Sequence, residues 1–70
     1  MEINENERRL LAIACNGMLN FQACSKVYRN AEYGRNIIKR LVLMGYLEQD
    51  ILNFGYFRIT PIGLEVLLES

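Results

Sequence analysis

Residues 33–47, read as Y-G-R-N-I-I-K-R-L-V-L-M-G-Y-L, constrain this chain more than any other stretch. An α-helix turns about 100° per residue. With Leu41 at the centre of an inward face, Gly34, Ile37, Ile38, Met44 and Gly45 share its side, while Glu32, Arg35, Asn36, Lys39 and Arg40 fall opposite. The pattern predicts a helix over about residues 31–44 that buries one side and is stopped by Gly45. Its outward side carries three cations, an amide and one carboxylate. Such a side is, at its plainest, the solvated half of an amphipathic helix. Arg and Lys can also pair with phosphates or guanine edges, and Asn can bridge adenine, so the surroundings of the helix must decide.

Seventy residues predict one small domain, 1–70. A chain of this size buries only about 60% of its unfolded surface. Its 51% hydrophobic content exceeds what one small core needs and suggests a buried partner surface. Eight basic and eight acidic residues cancel, which argues against strong nonspecific nucleic-acid binding. The charge is unevenly placed, however. Residues 26–40 hold Lys26, Arg29, Arg35, Lys39 and Arg40 against Glu32, a net of +4, whereas residues 1–25 carry −1 and residues 41–70 carry −3. A basic patch on an otherwise acidic molecule is a local footprint that zero net charge conceals. The start, M-E-I-N-E-N-E, is acidic where a signal peptide is basic. No apolar run approaches the length of a membrane span, so a cytoplasmic protein without a membrane partner is expected. Cys15 and Cys24 do not make a disulfide framework, and no histidine completes a metal set. They are read as small buried hydrophobes, with a redox-sensing pair as the alternative. No metal, cofactor or small-molecule ligand is expected.

Taken in order, Asn4 or Asn6 caps a first helix with Glu5 and Glu7 in its first turn, where the dipole favours anions. Asn16-Gly17 ends it, with the glycine as left-handed cap. Met18-Leu19 is a short extended piece. Asn20 caps a second helix over about 21–29, with Phe21, Cys24, Val27 and Tyr28 on its inner face. After a break at Asn30 and the helix described above, residues 46–52 read as a strand. Leu47, Gln49 and Ile51 lie on one side of it, and Glu48 and Asp50 on the other. Asn53-Phe54-Gly55 is a hairpin loop and 56–60 the return strand. Thr60 caps a last helix and Pro61 takes its first position, where a missing N–H costs nothing. Gly63, Glu65 and Glu69 form that helix's thin polar side.

The predicted fold is mainly α with a small β-hairpin, in the order helix, strand, helix, helix, hairpin, helix. The segments I-I-K-R-L-V-L-M-G-Y-L-E at 37–48 and Y-F-R-I-T-P-I-G-L-E-V-L at 56–67 resemble the winged helix-turn-helix proteins, broadly the MarR-like and ArsR-like small regulators. The first is similar to the end of that family's recognition helix running into the wing. The second is similar to its wing-to-helix junction. With the second helix included, the resemblance covers most of the chain. It implies sequence-specific binding of double-stranded DNA by a transcriptional regulator, with the third helix in the major groove and the hairpin 46–60 as wing.

On that reading Arg35, Asn36 and Lys39 touch bases; Arg40, Lys26 and Arg29 touch phosphates; Tyr33 reaches a base or sugar; and Arg58 is the wing's cation. Glu32 is taken to complement the helix dipole. Apolar side chains at the end of the first helix (Leu11, Ile13, Ala14) and on the last (Leu64, Val66, Leu67, Leu68) predict a homodimer, whose two-fold would set two reading helices roughly 34 Å apart. No enzyme is expected: there is no histidine and no glycine-rich phosphate loop, and Glu48 and Asp50 read as solvated. The alternative function is a protein-interaction adaptor, which would be far less sensitive to salt than DNA binding.

Overall fold

A computed structural model describes residues 3–24 and 30–70, the side chains of residues 23 and 24 excepted. Four helices and a small three-stranded sheet follow in the order α1 (Glu5–Cys15), β1 (Leu19–Asn20), α2 (Phe21–Cys24), α3 (Ala31–Leu43), β2 (Leu47–Gln49), β3 (Tyr56–Ile59) and α4 (Pro61–Glu69). This is the α+β class and the element order that the sequence predicts. The sheet is antiparallel with order β1-β3-β2, so the last strand in the chain is the middle one. Phe57 lies opposite Leu19 on one side and Gln49 on the other, and Ile59 lies opposite Leu47. These side chains share the face of the sheet that the helices cover. Leu10, Leu11 and Ala14 of α1, Ile37, Ile38 and Leu41 of α3, and Val66 of α4 complete the core over it.

Asn4 caps α1 through a capping box: its Oδ1 accepts from Glu7 N at 2.8 Å and its own N–H donates to Glu7 Oε1 at 2.9 Å. The helix ends differently from expectation. Asn16 makes the stop, its N–H and its side-chain amide both donating to the Ala12 carbonyl, and Gly17 does not adopt a positive φ. Leu11, Ala14 and Val66, expected at a dimer surface, are buried in the chain's own core because α1 is packed by both α4 and β3.

Asn30 caps α3 by accepting from Glu32 N and Tyr33 N. Gly34, Ile37, Ile38 and Leu41 are buried, which is the predicted inner face. Gly45 at φ 86° then turns the chain. Its N–H donates to Val42 O at 3.0 Å and that of Tyr46 to Leu41 O at 2.9 Å, the paired bonds of a Schellman ending.

β2 stops at Gln49, three residues short of the predicted strand. Asp50 turns inward and is buried, while Ile51 and Leu52 face out, so the expected alternation fails there. The loop of residues 50–55 closes on itself instead. Asp50 N donates to Tyr56 O, Tyr56 N to Asn53 O, and the Asn53 amide to the Asp50 carboxylate. Gly55 supplies the predicted positive φ, 87°.

Thr60 caps α4 as predicted: Oγ1 accepts from Gly63 N at 2.9 Å, and its hydroxyl donates to Gly45 O at 2.6 Å. Gly63 is not on the polar side. It is buried, and a Cβ there would lie 2.2 Å from the Tyr46 carbonyl oxygen, so only glycine lets α4 approach the end of α3 this closely.

Candidate nucleic-acid interface

Arg35, Asn36 and Lys39 are all exposed on one side of α3, the amino-terminal two thirds of which is fixed by the Asn30 cap and by Ile37 and Ile38 in the core. Spacings of one, three and four residues keep these three side chains on one arc. Among the described residues none of the three is paired with a carboxylate. The Arg35 guanidinium carbon stands 5.9 Å from the centre of the Phe21 ring, at the outer reach of a cation–π contact. Phe21 in turn meets Phe57 edge-on, ring centres 5.6 Å apart. Phe21 therefore spans from the sheet to the charged helix. It is more exposed, at 37%, than its expected place on the inner face of α2 would make it. Tyr33 is half exposed near the start of α3, and Glu32 is exposed in the first turn. Lys26 and Arg29, like Val27 and Tyr28, lie outside the described residues.

Two of the expected DNA contacts, Arg40 and Arg58, have partners inside the molecule. Arg40 Nη1 lies 2.8 Å from Oε2 of Glu7, a carboxylate that is almost wholly buried. Oε2 has no hydrogen bond of good geometry, so the contact is a charge pair at short range rather than an aligned bond. It ties α3 to the first turn of α1, and the Arg40 side chain still keeps about half its surface in solvent. Arg58 Nε donates to Glu48 Oε2 at 2.9 Å across the β2–β3 ladder, and its Nη1 is 3.8 Å from Asp50 Oδ1. The hairpin's one cation is thus set against two carboxylates.

Asp50 departs from the solvated role expected of it. The Asn53 amide holds its carboxyl below the usual aspartate range, against the opposing push of burial. The backbone N–H groups of Leu52 and Ile51 and the Arg58 charge act in the same sense as Asn53. Since Asn53 and Arg58 use the carboxylate, it has a structural task in the loop. Cys15, expected to be buried, is an exposed free thiol just before the Asn16 stop; the Cys24 side chain is outside the description. Among the described residues no three His, Cys, Asp or Glu side chains come together as a metal set. No helix of the described residues is long and apolar enough to cross a membrane.

Sequence reasoning missed two features of this face. One is an open cavity of about 380 Å³, lined by Phe21, Lys39, Val42, Leu43, Gln49 and Phe57, where the sequence suggests no pocket. It lies at the edge of the core, between α3 and the sheet. The other is the end of the hairpin, where Ile51, Leu52 and Phe54 are about 90% exposed. Three large apolar residues within a six-residue loop are the signal that could have found it. Compared with protein-family models, with curated proteins and with solved structures, the chain finds no match in any of the three.

Proposed function

We propose that the chain is a winged helix-turn-helix regulator that binds double-stranded DNA, with α3 in the major groove and the β2–β3 hairpin as wing. What supports this most is the division of labour among the cations. Among the described residues Arg9, Arg40 and Arg58 each have a carboxylate partner; Arg8 on α1 has none, and Arg35 and Lys39, with Asn36 between them, bring two more such cations together on one side of α3. Arg35 lies nearer the start of α3, where recognition helices usually touch bases. Arg35, Asn36 and Lys39 read base edges, and Lys26 and Arg29, from their sequence positions, contact flanking phosphates. Arg40 and Arg58 contribute less than the sequence suggests, since Glu7, Glu48 and Asp50 already neutralise them. The reading carries with it a cytoplasmic location and a homodimer. Leu11 is unavailable for the dimer contact, Ile13 and Leu67 are half-buried, and Leu64 and Leu68 are exposed.

Binding titrations at several salt concentrations test the proposal. A bidentate Arg contact discriminates by about 1–3 kcal/mol, so Arg35→Ala should weaken specific binding by roughly one to two decades. Lys26→Ala should weaken binding evenly across sequences and lower the salt slope by about one unit. If both variants, still folded, bind like the wild type, α3 does not read DNA. The adaptor role then takes its place, and the bare apolar residues of the hairpin loop are the observation that favours it.

A further inference from the structure

We propose that two copies of this chain pair through the hairpin loop, the loop of each copy filling the apolar cavity of the other. Ile51, Leu52 and Phe54 are 89–91% exposed, and Leu43, at the mouth of the cavity, is 88% exposed. Large apolar side chains left this bare mark an interaction site when they lie close together. The two halves of the contact lie at the same end of the molecule, because the cavity residues Gln49 and Phe57 flank the loop of residues 50–55 directly. A two-fold axis pairs one surface with itself, so a projecting loop beside a receiving cavity satisfies both contacts at once. The chain's own loop does not fill its own cavity, as the exposure of Phe54 shows.

Size and charge agree with a second copy. A cavity of about 380 Å³ is at the lower end of those that take a small organic ligand, which suits one aromatic and one aliphatic side chain. The four bare side chains, one aromatic and three aliphatic, give a contact smaller than the roughly 800 Å² per partner of a standard interface, which suits a reversible dimer. Glu48 and Asp50 against Arg58 leave the hairpin with one surplus negative charge, while Lys39 lines the cavity and Arg35 stands against its Phe21 wall. Acidic hairpin and basic cavity edge are therefore complementary between copies. The loop is also held in shape before contact by the Asp50–Asn53 and Tyr56–Asn53 hydrogen bonds, so little ordering is left for association. The pairing is argued without the DNA reading and competes with it, because a partner loop seated in the cavity covers Lys39 and the end of the hairpin.

Sedimentation equilibrium on the whole chain tests it, with circular dichroism as the check of folding. The wild type should show a monomer–dimer equilibrium. Phe54→Asp and Leu43→Glu, both at exposed positions, should each raise the dissociation constant about a hundredfold, because each change acts twice in a symmetric dimer. Leu68→Asp probes the other dimer surface named above, on α4, and should leave pairing through the hairpin loop unchanged. Mixing the Phe54→Asp and Leu43→Glu chains should restore association in part, since the pair retains one intact loop and one intact cavity facing each other. Phe54→Ser and Leu52→Ser serve in place of Phe54→Asp if that variant does not fold. A wild type that stays monomeric to its solubility limit overturns the proposal. So does a dimer that survives both changes, or one broken by Leu68→Asp alone, or a mixture that shows no recovery.

Discussion

The hairpin is built in opposite ways at its two ends. At its base, Thr60 N donates to Tyr46 O at 3.0 Å, the Thr60 hydroxyl donates to Gly45 O, and Gly63 presses against the same Tyr46 carbonyl. Polar groups there face inward onto backbone, and the neighbouring apolar residues Leu47 and Val66 are buried. At the loop end, Asp50 and Asn53 again turn inward to bind each other, but Ile51, Leu52 and Phe54 are left in solvent. Both ends satisfy their backbone first. The base can do so and still bury its apolar residues because helices pack around it, whereas among the described residues none covers Ile51, Leu52 or Phe54. Burial follows hydrophobicity where a core is within reach, and it yields to backbone hydrogen bonding where it is not.

Four substitutions separate the two ends. Gly63→Ala should have the largest effect, a loss of about 3 kcal/mol, because the carbonyl oxygen it would strike is backbone and is already held by Thr60 N. Urea unfolding reads this out, and an unchanged midpoint would mean that α4 can slide off the end of α3 at no cost. Thr60→Val keeps the shape but removes both the cap to Gly63 N and the bond to Gly45 O. It should cost about 1–2 kcal/mol, with the loss appearing as fraying of α4 in amide exchange.

Asp50→Asn acts at the loop end and should show itself chiefly through pH. The folded carboxyl titrates below its unfolded value, so its contribution is fully present above the ordinary aspartate range near pH 4 and is lost as pH falls through the lower folded value. The wild type should therefore lose stability in acid below about pH 4, and the variant should lack that part of the loss. Identical acid profiles would show that Asn53 and Arg58 do not favour the charged form. Phe54→Ser should change the stability of the monomer least, by no more than about 0.5 kcal/mol, since its side chain is 91% exposed. A measurable loss in dilute solution would show that the loop packs against its own chain.

How far the candidate interface could be read in advance depends on the reach of each interaction. Arg35, Asn36 and Lys39 were placed together on the outside of α3 by helical periodicity alone, and Gly34, Ile37, Ile38 and Leu41 on its inside. Arg40 had the same outward register, yet it meets Glu7, thirty-three positions earlier in the chain. Nothing in the local pattern of either residue announces the other. The cavity, likewise, is made by α2, α3 and two strands, so no single stretch of sequence carries it.

The sequence by itself determined what is settled within about one helical turn: the Thr60 cap, Pro61 at the start of α4, the glycine turns at Gly45 and Gly55, and the inner face of α3. These depend on backbone geometry and on side chains three or four residues apart. Only the tertiary structure decided that β3 lies between β1 and β2, that Gly63 is buried, that Leu11 belongs to the core and that Asp50 faces inward. Each of those outcomes depends on which distant element comes to lie alongside. Polarity and period leave that choice open, and the closing of the core makes it.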